Sequence, residues 1–83
     1  MNNVFILFDG VGDGEYIISV HSSLEIAKQA GDEYLKTDKN AIAYGKYIRV
    51  EEWGIDNRAM ISCWDKASYK TRPEYSFDWR KDE

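Results

Sequence analysis

Two residues in this 83-residue chain could form a nucleophile and its base, and each type occurs once: Cys63 and His21. A thiol activated by an imidazole is a route to covalent catalysis, but the base needs a third group to orient it, and no residue is spaced to serve. A small half-buried thiol beside Trp64 and a histidine just before a helix start are ordinary structural uses, and that reading is adopted. The segment Asp9-Gly10-Val11-Gly12-Asp13-Gly14-Glu15 offers three carboxylates, Asp9, Asp13 and Glu15, close enough in sequence for a hard cation, though without the EF-hand pattern. Its glycines could present amides to a phosphate, but that device joins a strand to a helix N-terminus, and here both flanks read as strands. Gly and Asp are also what a hairpin turn demands, so a turn is expected, with no metal and no cofactor. The neighbours Glu51 and Glu52 would point to opposite faces of a regular strand, the wrong arrangement for two carboxylates acting on one bond. They are expected to mark a solvated face or to blunt an exposed sheet edge.

Two other sets suit binding. Arg72, Tyr75, Phe77, Trp79 and Arg80 mix aromatic and guanidinium groups of the kind enriched at interface hot spots. The competing use of these rings is a last strand completing a small core. Base stacking on them is opposed by Glu74, Asp78, Asp82 and Glu83, so nucleic acid is not the expected partner. Alternatively Arg49, Arg58 or Arg72, with a stacking Trp or Tyr, could hold a small anion or nucleotide in a cleft between subunits. An enzyme using Asp or Glu with a Tyr ranks third, because no spacing selects a pair.

The elements that must position these groups follow from periodicity. Val4-Phe5-Ile6-Leu7-Phe8 is a strand with apolar groups on both faces, which predicts an interior strand covered twice. Tyr16 to Val20 is a second strand, and the Gly- and Asp-rich loop makes the pair a hairpin. Ser22 and Glu25 have capping-box spacing, and Leu24, Ala27, Ala30, Gly31, Tyr34 and Leu35 form one stripe, which predicts a helix to about Lys36 whose small residues let it lie close on a sheet. Thr37 to Asn40 reads as a polar exit loop with Asn40 left-handed. Residues 41–56 read as one or two strands, with a bulge near Glu51-Glu52 to correct the phase of Trp53 and Ile55. Asp56-Asn57-Arg58 would turn into a further strand from Ala59 to Trp64. Lys66 to Arg72 reads as irregular, Pro73 forbids a helix across it, and Tyr75, Phe77 and Trp79 alternate with polar residues as in a strand or extended arm.

The fold class expected is therefore α+β: a small antiparallel β-β-α-β-β sheet over residues 1–64 with one helix on one face, and a C-terminal aromatic arm or extra strand, 65–83, on the same domain. Composition agrees with one globular domain, at 43% hydrophobic and 31% charged residues. The longest apolar run, five residues, is too short to cross a bilayer. The formal charge of −4 lies wholly in residues 1–62, with ten acids against six bases, while residues 63–83 balance five against five. That distribution opposes phosphate neutralisation. A single cysteine and no signal-peptide pattern lead to the expectation of a cytoplasmic protein.

The stretches Val4-Phe5-Ile6-Leu7-Phe8-Asp9-Gly10, Ser22-Ser23-Leu24-Glu25-Ile26-Ala27 and Tyr47-Ile48-Arg49-Val50-Glu51-Glu52-Trp53 resemble the small uncharacterised β-β-α-β proteins encoded in bacteriophage and prophage genomes. The likeness covers roughly residues 3–56, and residues 57–83 depart from it. It implies the fold and a phage accessory or anti-defence setting, and carries over no catalytic residue. The function expected is a non-enzymatic protein-binding module, an inhibitor that occludes a site on a host defence or regulatory protein, with a homodimer through an unpaired sheet edge.

Overall fold

A computed structural model describes residues 3–10, 15–56, 58–69 and 76–82. The first apolar run forms β1 (Asn3–Asp9) and pairs antiparallel with β2 (Tyr16–His21) as a hairpin. Then come α1 (Leu24–Thr37), α2 (Lys39–Tyr44), β3 (Tyr47–Gly54), β4 (Met60–Ala67) and β5 (Arg80–Asp82). The sheet has the order β2-β1-β3-β4-β5, and each neighbouring pair is antiparallel. The chain thus leaves β2, crosses β1 through the two helices and returns as β3. This is the α+β sheet-and-helix class that the hydrophobic periods predict.

Several local expectations are corrected. The helix cap is Ser23 rather than Ser22: its Oγ accepts from the Ile26 backbone N–H at 3.2 Å, which leaves Glu25 simply an acid in the first turn, where the helix dipole favours it. The polar exit loop is a one-residue joint. Asp38 ends α1 by donating its N–H to the Tyr34 carbonyl at 2.9 Å and starts α2 by accepting from the Ala41 N–H at 3.0 Å. Asn40 is therefore helical, and Ala41 to Tyr44 are not strand. The left-handed residue that ends this segment is Gly45, at φ 81°, where a Cβ would lie 2.7 Å from that of Tyr69. β4 extends past Trp64 to Ala67, so Asp65 and Lys66 are strand residues and the sheet runs through the boundary expected at residue 64. The tail is not one continuous strand: residues 77–78 bend, with the Asp78 N–H donating to Ser76 Oγ at 3.1 Å, and β5 begins only at Arg80.

Register assigns the faces. Phe5, Leu7 and Asp9 stand opposite Glu52, Val50 and Ile48 of β3, which stand opposite Ser62, Trp64 and Lys66 of β4. This face receives α1. Leu7, Ala27, Ile48 and Val50 form the buried centre, ringed by Phe5, Leu24, Tyr34, Trp64 and Trp79. On the other face lie Val4, Ile6 and Phe8 with Trp53, Glu51 and Arg49, and no helix covers them among the described residues. Among the described residues, side chains shield that second face of β1, with the Arg49 guanidinium 4.8 Å from the centre of the Phe8 ring.

The bulge expected in β3 falls elsewhere. β3 is regular against β1, and Trp53 is out of phase with Ile48 and Val50 simply because it faces the other side. The irregularity is in β4, where Ser62 faces Glu52, Met60 faces Trp53 and Ile61 is the extra residue. A second bulge, at Ile18 of β2, lets Ile17 share a face with Val20 and turns Tyr16 toward the helix side beside Asp9.

Candidate functional site

The densest polar cluster gathers around one carboxylate. Asp9 follows Leu7 by two residues, so strand alternation aims it at the helix side, where burial demands partners. Its Oδ2 accepts from Tyr16 Oη at 3.0 Å, from Lys46 Nζ at 2.6 Å and from Tyr34 Oη in a very short contact. Tyr16 and Tyr34 hydroxyls lie 2.9 Å apart, and Lys46 Nζ is also 3.7 Å from Asp38 Oδ2. The ends of β1 and β2, the last turns of α1 and the approach to β3 meet at this point.

Its electrostatics shift Asp9, Tyr34 and Lys46. Burial works against ionisation of Asp9, but the hydrogen bonds from Lys46, Tyr34 and Tyr16 together outweigh it and hold the carboxyl below its ordinary value. Burial and the bond to Asp9 push the Tyr34 phenol far up. The bond to Asp9 raises Lys46 despite the opposing effect of burial. At neutral pH the acid is ionised while the phenol and the amine are protonated. These bonds tie the end of β1, the start of β2, the last turns of α1 and the approach to β3 together, and the cluster works as a latch.

A second cluster lies on the helix-free face. Arg49 grips Glu15 as a fork, NH1 at 2.9 Å and NH2 at 3.1 Å, and its Nε donates to Glu51 Oε2 at 2.8 Å; Trp53 Nε1 donates to Glu51 Oε1 at 2.9 Å. Glu52, on the opposite face, accepts from Asn3 Nδ2 at 2.7 Å. Neither glutamate blunts an edge, because β3 is the middle strand of five. Asp9 and Glu15, two of the three carboxylates considered for a cation, are thereby engaged, and Asp13 lies outside the described residues.

Of the arginines considered for an anion, the two described ones are not brought together. Arg49 serves two carboxylates, Arg72 lies outside the described residues, and Arg58 sits in the β3–β4 connection, seven residues along from Asp65, the β4 partner of Arg49, or about 20 Å at strand rise. The Cys63–His21 pair is excluded by topology. Cys63 stands opposite Glu51 on the helix-free face, His21 stands opposite Phe5 on the helix face, and two strands lie between theirs. Burial pushes the Cys63 thiol up to about 11, and His21 Nε2 is 2.7 Å from Ser19 Oγ.

The tail residues separate as well. Trp79 packs on α1 at Gly31, where an added Cβ would come within 2.8 Å of its Cζ2, and its Nε1 donates to Asp32 Oδ1 at 3.0 Å. Lys66 Nζ donates to the same oxygen at 2.6 Å. Arg80 faces the other way, NH2 3.1 Å from Oδ1 of the wholly buried Asp65, an ion pair without linear hydrogen-bond geometry. Phe77 is 55% exposed. Tyr75 lies outside the described residues.

Sequence reasoning missed Tyr16, Tyr34 and Lys46. An acid two residues beyond Leu7 in an apolar strand signals a buried carboxylate, but nothing in the order of residues names its partners. Reasoning also passed over the contrast between the sheet edges. β5 is three residues long, Arg80, Lys81 and Asp82, all charged, whereas β2 is six residues without a Lys, Arg, Asp or Glu, and its Ile17 and Val20 are each 56% exposed. Among the described residues no three His, Cys, Asp or Glu groups are arranged to hold a metal, and no helix is long and apolar enough to cross a membrane. Compared with known protein families, curated proteins and solved structures, the chain matches none, so its function rests on the geometry above.

Proposed function

We propose that the protein is a non-enzymatic protein-binding module that meets its partner at β2 and the adjoining helix-free rows of the sheet. The observation carrying this reading is the exposure of Ile17 and Val20 on a neutral edge strand, next to the half-buried Ile6 and Phe8. The ionisable clusters support it from the other side, because the polar groups around Asp9 are paired among themselves, as are those around Arg49, and Tyr34, Lys46 and Arg49 hold their protons more firmly than usual. Of the tail residues first considered, Trp79 and Arg80 are committed to the fold, which moves the binding surface from the tail to the β2 side. The likeness to phage-encoded proteins makes a bacterial defence or regulatory factor the partner to try first.

The test is capture from bacterial lysate followed by binding measurements with the purified partner. Replacing Ile17 and Val20 by lysine should weaken the complex by tenfold or more, the scale set by about 1.4 kcal/mol per decade. Phe77→Ala should leave it unchanged. A partner that binds the double-lysine variant at full affinity refutes the surface, and turnover abolished by Asp9→Asn in a chain that remains folded refutes the non-enzymatic reading.

A further inference from the structure

The two edges of the sheet are finished differently. At β5 the edge is short and every side chain is charged, a finish that discourages pairing with another chain. At β2 the edge runs for six residues, Tyr16-Ile17-Ile18-Ser19-Val20-His21, with neither lysine nor proline, and among the described residues β2 pairs with β1 alone. The outward amides and carbonyls of such a strand are a template for one more strand.

Charge identifies the occupant. A charged strand would find no counter-charge along β2 and would surrender solvation for nothing. A neutral, apolar strand with β propensity fits, and β2 itself is one. The chain carries a charge of −4, so two copies repel each other over most approaches, but an antiparallel meeting of two β2 strands sets no charged side chain against another. A self-paired β5, by contrast, would place Lys81 against its own copy. The bulge at Ile18 puts Ile17 and Val20 on one face although they are three residues apart, so a two-fold axis between Ile18 and Ser19 lays Ile17 of one copy beside Val20 of the other, twice.

We infer that β2 pairs antiparallel with β2 of a second copy, joining two five-stranded sheets into one of ten strands with a continuous helix-free face. This rests on the reading of β2 as a binding edge and names its occupant. The combined face, carrying Ile6, Phe8, Ile17 and Val20 from both copies, becomes the platform for any larger partner.

Sedimentation equilibrium on the full chain tests it, from about 10 to about 300 µM, the range that brackets micromolar self-affinity. Wild type should be dimeric at the upper end, and more so in high salt, which screens repulsion between copies. The Ile17→Lys, Val20→Lys variant should be monomeric with an unchanged far-ultraviolet circular dichroism spectrum, while Ile42→Lys, an exposed apolar position on α2, should dimerise as wild type does. Hydrogen exchange on wild type gives an answer that needs no folded variant: amides of residues 17–20 should gain protection with concentration. A wild type that stays monomeric, an edge variant that dimerises normally, or exchange independent of concentration overturns the inference. A monomeric wild type whose partner is still lost on the double-lysine change overturns the second copy while leaving the binding edge standing. A dimer through β2 that captures no other protein does the reverse.

Discussion

Replacing Gly31 by alanine sets helix propensity against packing, and the structure decides the sign. Inside α1 an alanine should gain up to about 1 kcal/mol over glycine, because it restricts the unfolded backbone more. The new Cβ would stand 2.8 Å from Trp79 Cζ2 and 2.9 Å from Ile48 Cδ1, inside contact distance for both. Ile48 can turn its terminal methyl aside, but the indole is a rigid plane held two bonds from the contact by Nε1 donating to Asp32. Overpacking of this kind costs about 1–3 kcal/mol. If the ring moves far enough to break its bond to the carboxylate, about 1.5–3 kcal/mol more is at stake. The net expectation is destabilisation of about 1–2 kcal/mol. For a domain of this size that lowers Tm by roughly 5–15 °C. Urea unfolding followed by circular dichroism measures it, and a cycle with Trp79→Leu isolates the cause: with the indole gone, Gly31→Ala should become neutral or stabilising by up to about 1 kcal/mol. Stabilisation by Gly31→Ala in the wild-type background, or coupling to Trp79 below about 0.5 kcal/mol, would refute the reasoning.

Lys46→Met leaves the buried Asp9 without its cation and should cost about 3–5 kcal/mol in urea unfolding. The lowered pKa of Asp9 adds an acid limb: its stabilisation is complete above the unfolded value near 3.9 and fades as pH falls through the lower folded value, so Asp9→Asn should flatten the stability profile below about pH 4. Lys46, raised in the fold, contributes stability that is complete below about pH 10.4 and fades as pH rises through its folded value. Cys63, buried with a thiol pushed up to about 11, should react with a disulfide reagent at pH 8 far more slowly than in urea-unfolded chain; equal rates would place it at the surface.

Period and punctuation carried the sheet-and-helix class in the sequence. Alternation in Val4 to Phe8 and Tyr47 to Val50, the glycine- and aspartate-rich loop and the Leu24 to Leu35 stripe are local signals, each set by backbone geometry within a few residues. They located the hairpin, α1, β3 and its pairing with the strand that follows. Residues 41–44 misled because four apolar residues fit a strand or a helix equally, and only the double cap at Asp38 selects the helix. Trp79 and Arg80 stayed open between two uses because composition cannot tell a ring that binds a partner from one that closes its own core; their neighbours Gly31 and Asp65 are 48 and 15 residues away.

What the sequence by itself determined was which segments extend, which coil and that one face of each is apolar, since these depend on neighbours along the chain. What only the tertiary structure decided was the company each polar group keeps. Asp9 meets Tyr34 and Lys46, Arg49 is spent on Glu15 and Glu51, and β2 rather than the tail is left as the uncharged edge. Those outcomes depend on strand order and register, which bring together residues 25 to 37 positions apart around Asp9, and no local pattern encodes separations of that length.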